Sequence, residues 1–206
     1  MEILSKLLGG APRVKIMRLF LFNPGGGFSL KEVSSRSKVP LGLARQEVSY
    51  LMGLNFIKRG KLELLIEKKK GKKVFTKKLK IAGFFLNKNF AYIESLRNLL
   101  IDYKFLKRGE IIKRFRRVGN LKLLVIAGVF IKDENSRADI LIVGDHLKRN
   151  VIERSLKNME AEIGKELRYA VLNTKEFIYR LDMYDKFIRD ILDYPHERLI
   201  EKIKVE

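Results

Sequence analysis

The carboxylates and imidazoles in the second half of the chain are the side chains best suited to catalysis. Asp139 and Asp145 lie on or just after one β-prone stretch, and His146 follows directly. Such groups can move protons or hold metal ions. No nucleophile or basic partner recurs near them, however, and His146 could simply cap the next helix. We therefore do not assign a catalytic centre to this group.

A second group, Asp190, Asp193 and His196, could hold a metal ion, although an exposed helix end explains these residues more simply. The 206-residue chain contains no Cys and two His. Thiolate chemistry and disulfides are therefore excluded, and we expect neither a structural zinc site nor another cofactor. The absence of Cys also favours a cytoplasmic location.

A different chemistry is available on the segment from Leu41 to Leu54 (residues 41–54). Ala44, Val48 and Leu51 recur at i, i+4 and i+7, which predicts an amphipathic helix with one buried face. The opposite face is polar and could hydrogen-bond to phosphates or base edges. Its residues are Arg45, Gln46, Ser49 and Tyr50.

Positive charge is concentrated in the first part of the chain. Residues 1–118 contain 28 Lys and Arg against 8 Asp and Glu, whereas residues 119–206 contain 16 of each kind. The net charge of +20 therefore belongs entirely to the first part. This asymmetry predicts an N-terminal module that binds a polyanion, joined to a neutral module with another task.

Two predicted helices precede the polar helix and would hold it in place. The segment Arg13–Phe22 has a helical apolar stripe, and the run Pro24–Gly27 ends it. Ser29 and Glu32 form a capping-box pattern for a second helix, which should end near Lys38.

A lysine-rich β-hairpin is predicted directly after the polar helix. β-prone segments at Leu62–Ile66 and Val74–Ile81 flank a Gly-containing basic tip. Residues 58–80 contain 11 basic and 2 acidic side chains, a composition suited to a phosphate backbone. The residues expected to contact phosphates are Lys58, Arg59, Lys68, Lys69, Lys70, Lys72 and Lys73.

Together these elements resemble the winged helix-turn-helix of transcriptional regulators over about residues 13–81. The shared framework is A/T-x3-V/L-x2-L-x3-G-L/F-I/V, with Asn55 where Gly is usual; Asn also tolerates the left-handed conformation. The matching residues are Ala44, Val48, Leu51, Asn55, Phe56 and Ile57. The resemblance implies that residues 41–54 form a recognition helix in the major groove of duplex DNA and that residues 58–80 form the wing.

An apolar segment and a basic segment connect the two halves. Ala82–Tyr103 is too apolar to stay exposed, and a helix near Phe90–Asp102 could pack within the chain or form a dimer interface. Lys107–Arg117 carries six cations. Additional DNA contact, binding of a phosphate-bearing ligand and simple solvation are alternative roles for this basic segment.

From Leu121 onward, the pattern changes to alternating strands and helices. We predict strands at Leu121–Ile131, Ala138–Val143 and Leu167–Leu172, helices at Leu147–Gly164 and Phe177–Leu192, and a short tail helix. This order resembles the minimal nucleotidyltransferase fold.

Active members of that family carry Gly-Ser on one strand, Asp-x-Asp on the next and a third acid later, and these carboxylates hold two metal ions. In this chain Val129 stands at the serine position, and Arg137 and Asp139 stand at the two acids. The strand predicted at Leu167–Leu172 contains no acid. The resemblance therefore implies a scaffold without its metal ligands, and we expect no enzymatic activity.

These observations predict an α+β protein in three parts. Residues 1–83 form a winged helix-turn-helix, residues 84–118 a helical linker with a basic helix, and residues 119–206 a mixed α/β domain that resembles a nucleotidyltransferase. The predicted function is DNA-binding transcriptional regulation. The alternatives are a nucleotidyltransferase with a basic nucleic-acid-binding arm, and a protein that binds RNA.

The expected partners are double-stranded DNA, a second copy of the chain in a homodimer, and a small-molecule or protein effector at the C-terminal domain. No apolar run approaches the roughly 20 residues of a membrane span. Met1–Gly10 lacks the pattern of a signal peptide. We therefore expect no membrane partner.

Overall fold

The computed structural model describes residues 3–70, 73–101, 107–133 and 135–203, and for residues 64–78 no more than the backbone. The helices are α1 (Ile3–Leu7), α2 (Ala11–Phe22), α3 (Leu30–Ser37), α4 (Leu41–Gly53), α5 (Ile93–Leu100), α6 (Arg108–Phe115), α7 (Arg149–Ile163), α8 (Thr174–Asp182) and α9 (Lys186–Leu192). The strands are β1 (Gly27–Phe28), β2 (Ile57–Lys70), β3 (Lys73–Leu86), β4 (Asn120–Ile126), β5 (Ile140–Asp145), β6 (Tyr169–Leu172) and β7 (Glu197–Glu201). These elements form two small sheets with helices, which agrees with the predicted α+β class.

The chain divides into two compact units. The first contains Met1–Ile101 together with Glu160–Lys165, and the second contains Asp102–Met159 together with Glu166–Glu206. No helix in the described part of the chain is long and apolar enough to cross a membrane.

Helix α2 lies at the centre of the core of the first unit. Because it is apolar on nearly all sides, it is buried around most of its circumference. Its most buried side chains are Val14, Ile16, Leu19, Phe20 and Leu21, each at most 1% exposed. Helices α3 and α4 both pack on α2 and on each other, so the three helices share one core.

Local sequence signals set the ends of α3 and α4 as predicted. The Ser29 hydroxyl accepts a hydrogen bond from the Glu32 N–H at 3.3 Å, and the Glu32 carboxylate accepts from the Ser29 N–H at 2.7 Å. This capping box begins α3. At the end of α4, Asn55 has φ 59°, the left-handed conformation that the sequence predicts. The Phe56 N–H then donates to the Leu51 carbonyl oxygen at 3.0 Å.

The first sheet has the strand order β1-β3-β2 and is antiparallel. The predicted hairpin is present but longer than expected, because β2 and β3 pair continuously from Ile57–Leu86 to Lys70–Lys73. Each strand has 14 residues and is therefore about 48 Å long. The strand lengths predicted from the β-prone segments are too short, because backbone pairing continues through the charged part of the hairpin.

Gly27, the first residue of β1, makes room for an aromatic ring. A Cβ atom on Gly27 would lie 2.2 Å from Cε1 of Phe85, and one on Gly60 would lie 2.7 Å from Cε2 of the same ring. Gly25, by contrast, has open space around it. The Phe85 ring thus packs where only glycine leaves sufficient room.

The second sheet has the strand order β6-β5-β4-β7, with β5 and β6 parallel and the other pairs antiparallel. Helices α8 and α9 pack on it through Phe177, Ile188 and Ile191. The side chains of α7 that the sequence predicts to face inward are all buried. They are Ile152, Leu156, Met159 and Ile163.

Three predictions for the second half are wrong. The strand expected at Leu121–Ile131 ends at Ile126, and a 3-10 turn follows at Gly128–Phe130. The single helix expected at Phe177–Leu192 is two helices, because Asp185 accepts hydrogen bonds from the backbone N–H groups of residues 187 and 188 and starts α9. The expected tail helix is strand β7, which pairs with β4.

Candidate nucleic-acid interface

The polar face predicted on α4 is present and exposed. Arg45, Gln46 and Ser49 are exposed, and Tyr50 is 47% exposed. Helical geometry places i and i+4 positions side by side, so Arg45 neighbours Ser49 and Gln46 neighbours Tyr50. The buried side of the same helix contains Ala44, Val48 and Leu51. The α4 face therefore gathers all four predicted residues on one surface.

Three of these side chains have no competing contacts. Arg45, Gln46 and Ser49 make no side-chain hydrogen bond or ion pair with any residue that the structure describes. Their donors and acceptors are thus available to an external partner.

A partly buried ion pair that the sequence pattern did not predict holds α4 against α2. Arg13 of α2 donates from Nε to Oε2 of Glu47 at 2.7 Å, and the two side chains are 22% and 11% exposed. The guanidinium carbon of Arg13 also lies 3.9 Å from the centroid of the Tyr50 ring. Tyr50 is thus partly engaged within the protein. Glu47 lies three residues after Ala44 and four before Leu51, and therefore on the inward face of α4. An acid at an inward position is the sequence signal that predicts such an ion pair.

The predicted wing residues do not form one cluster. Lys58 and Arg59 are exposed at the start of β2, close in sequence to α4. The backbone of Lys68 lies ten residues further along β2, or about 34 Å away at the usual strand rise. Lys69, Lys70 and Lys73 belong to the same far end of the hairpin. Their side chains are outside the described part of the structure, as is residue Lys72.

In the second unit, Asp139 is fully buried and bound to the backbone. Its carboxylate accepts hydrogen bonds from the N–H groups of Val129 and Arg168, both at 2.8 Å. Nε of Arg168 lies 3.5 Å from the same carboxylate. Gly128 has φ 54°, and a Cβ there would lie 2.2 Å from Oδ1 of Asp139. The carboxylate therefore joins the turn after β4 to the start of β6.

The neighbouring residues of the nucleotidyltransferase-like motif also have structural partners. Arg137 pairs with Asp190 of α9 and not with Asp139. Val129, at the serine position, is 5% exposed. The geometry thus separates Arg137 from Asp139, although the two residues are close in sequence.

Asp145 stabilises the start of α8. Its carboxylate accepts from the Thr174 hydroxyl at 2.8 Å and from the Thr174 N–H at 3.2 Å. These two hydrogen bonds hold the pKa of Asp145 below its ordinary value, with a smaller contribution from the positive charge of Lys122. His146 is exposed with φ 53°.

The group Asp190, Asp193 and His196 is divided among separate partners. Asp193 pairs with Arg189 at 3.1 Å, and Nδ1 of His196 lies 2.9 Å from the Tyr194 carbonyl oxygen. Within the described ranges, no three Asp, Glu or His side chains are grouped so that they could hold a metal ion.

A small cavity of about 190 Å³ lies between α7 and β6. It is lined by Arg149, Ile152, Glu153, Tyr169 and Val171. Pockets for drug-sized ligands usually exceed about 300 Å³, so this cavity suits at most a smaller molecule.

Comparison of the chain with protein-family models, curated proteins and solved structures finds no match.

Proposed function

We propose that the protein is a DNA-binding transcriptional regulator, with α4 as its recognition helix and the β2–β3 hairpin as its wing. The observation that carries the proposal is the exposed polar face of α4, on which Arg45, Gln46 and Ser49 lack partners among the described residues. Side chains without internal contacts can bond to base edges in a major groove without first breaking other bonds.

The buried side of α4 supports this role because a recognition helix must be held firmly. Val48 and Leu51 are at most 2% exposed, and the Arg13–Glu47 ion pair adds a polar contact to α2. Both interactions limit rotation of α4 about its axis. Functional groups on a helix locked by packing are positioned more accurately than groups on a loop.

The hairpin supports the proposal through its charge and its length. Residues 58–80 carry 11 cations and 2 acids, and phosphate contacts supply much of the affinity of DNA-binding proteins. A hairpin about 48 Å long exceeds one helical turn of DNA, about 34 Å. Lys58 and Arg59 would contact phosphates near the recognition helix, and the distal lysines would contact phosphates further along the duplex.

A nucleotidyltransferase has less support. That reaction needs carboxylates that are open to two metal ions, whereas Asp139 is buried and already accepts two backbone hydrogen bonds. We propose that the second unit has no transferase activity and serves instead to bind an effector or a second copy of the chain. A homodimer would present two α4 helices to half-sites on the duplex.

Selection of bound fragments from random duplex DNA tests the proposal. We expect one enriched sequence, repeated with a fixed spacing if the protein is a dimer. The double variant Arg45→Ala with Gln46→Ala should bind the enriched duplex at least about tenfold more weakly, since one good base contact contributes about 1–3 kcal/mol. Its binding to random duplex should change much less.

A control variant, Lys88→Ala with Asn98→Ala, removes one exposed cation and one exposed amide elsewhere in the first unit and should leave both affinities near those of the unmodified protein. Equal loss on enriched and random duplexes would contradict base contact by α4. Transfer of a labelled nucleotide to any acceptor, in the presence of magnesium, would contradict the proposed absence of transferase activity.

A further inference from the structure

Exposed cations are concentrated at the C-terminal end of α6, in the turn that follows it and in the middle of α7. The Ser155 hydroxyl of α7 donates to the Arg114 carbonyl oxygen of α6 at 3.1 Å, so the C-terminal turn of α6 contacts α7. Five exposed cations lie within three residues of Arg114 or Ser155 along the chain, and we name them the α6–α7 surface. They are Lys113, Arg116, Arg117, Arg154 and Lys157.

These five cations lack carboxylate partners in the part of the chain that the structure describes. Arg108, at the start of α6, differs because it forms an ion pair with Glu197 at 2.8 Å. Glu153, the exposed acid next to Arg154 on α7, forms no ion pair with these cations either. The five cations are therefore available to an external anion.

The helix dipole explains only part of this charge. Cations near the C-terminus of α6 interact favourably with its dipole. Arg154 and Lys157, however, lie inside α7, where the dipole has little effect. An external anion would account for both groups.

We infer that the α6–α7 surface binds the phosphate backbone of a nucleic acid. The cations are distributed over the end of α6, the turn after it and α7, and none of them lines the cavity beside β6, whereas a single nucleotide would need a concave site. A nucleic acid strand presents phosphates at regular intervals and can contact such an extended surface. Three of the five cations are arginines, whose forked donors match phosphate oxygens.

A nucleic acid fits this surface better than an anionic lipid membrane does. Proteins that lie on membranes usually insert apolar side chains beside their cations. No large hydrophobic side chain between residues 107 and 157 is exposed among the residues described there. The surface is thus suited to charge contacts without insertion, and it makes no base-specific contact.

The dependence of DNA affinity on salt concentration measures these contacts directly. In the full chain, the surface variant Arg116→Gln, Arg154→Gln and Lys157→Gln removes three cations. The control variant Lys175→Gln, Lys186→Gln and Lys202→Gln removes three exposed cations from elsewhere in the same unit. Both are titrated against a random-sequence duplex of about 40 base pairs over a range of potassium chloride concentrations, after urea unfolding has verified that both are folded.

Each phosphate contact contributes about 0.9 to the slope of log affinity against log salt. We therefore expect the surface variant to lower the magnitude of the slope by about 2.7 for three lost contacts, and the control variant to leave it unchanged. Equal slopes for the two variants would overturn the inference. It would also be overturned if the surface variant lost binding to anionic phosphatidylserine vesicles alone and kept the duplex slope.

This inference does not rest on base recognition by α4, and the two can fail separately. If no sequence is enriched from random duplex but the surface variant lowers the slope, the proposed regulator fails and the α6–α7 surface stands. If the variant at Arg45 and Gln46 loses selectivity and the surface variant keeps the full slope, the proposed regulator stands and the inferred role of the α6–α7 surface fails.

Discussion

Arg13 and Glu47 form an ion pair at 2.7 Å between α2 and α4, with side chains that are 22% and 11% exposed. The guanidinium of Arg13 also faces the ring of Tyr50 on the exposed side of α4. One arginine therefore contacts both the buried and the exposed side of the proposed recognition helix. This links the packing of the core to the orientation of the surface that we propose contacts DNA.

Loss of this ion pair should destabilise the first unit. We expect Glu47→Ala to lower the free energy of unfolding by about 1–3 kcal/mol, because it leaves a largely buried guanidinium without its charged acceptor. Urea denaturation measures the change. Glu94→Ala, at an exposed position in the same unit, is the control and should change stability by less than about 0.5 kcal/mol. Additive effects of Arg13→Ala and Glu47→Ala would contradict a direct interaction.

Asp139 should be essential for stability. Asp139→Ala leaves the N–H groups of Val129 and Arg168 without their buried acceptor, and we expect a loss of about 3 kcal/mol or more. Asp182→Ala removes an exposed carboxylate and serves as the control in the same denaturation experiment. If Asp139→Ala unfolded at the same urea concentration as the unmodified protein, the carboxylate would not be a structural group.

The hydrogen bonds between Thr174 and Asp145 predict a dependence of stability on pH. Because they lower the pKa of Asp145 in the folded state, its carboxylate stabilises the fold fully above the ordinary aspartate pKa of about 3.9. This stabilisation is lost as the pH falls through the folded-state pKa. Thr174→Val should therefore be less stable than the unmodified protein at pH 7, and the difference should shrink as the pH falls below the ordinary aspartate pKa.

Ser136→Ala provides the matched control for this pH dependence. It removes a hydroxyl that donates to the Ala138 carbonyl oxygen at 2.7 Å, an acceptor that does not titrate. Its effect on the unfolding free energy should stay constant over the same pH range. A constant difference for Thr174→Val as well would show that the charge of Asp145 is not involved.

The contact between Gly27 and Phe85 predicts different outcomes within one glycine run. Gly27→Ala would place a methyl group 2.2 Å from the Phe85 ring, and the forced repacking should lower stability by about 1–3 kcal/mol. Gly25→Ala meets open space and should have little effect. The combination of Gly27→Ala with Phe85→Leu should recover part of the loss, as measured by thermal unfolding. An equal effect of both alanine substitutions would rule out this packing role.

The elements that determine the candidate interface could be predicted because their signals are local. The spacing of Ala44, Val48 and Leu51 defines the buried side of α4, and therefore also its exposed side. The capping box of Ser29 and Glu32 needs residues only three positions apart. Neighbours on one helix have nearly the same geometry in any fold, so such patterns can be interpreted without knowledge of the tertiary structure.

Contacts between distant residues were decided by the tertiary structure alone. Arg13 and Glu47 are 34 positions apart, and Asp139 and Arg168 are 29 apart. The sequence did not indicate which acid pairs with which base. It suggested that Arg137 lies beside Asp139, whereas Arg137 pairs with Asp190 and Asp139 lies near Arg168. Strand β7, predicted as a helix, forms because the free edge of β4 supplies hydrogen-bond partners. The sequence by itself therefore determined α2, α3, α4 and the polar face of α4, because periodicity and capping act within a few residues. The ion pairs and the end of the second sheet depended on chain segments that only folding brings together.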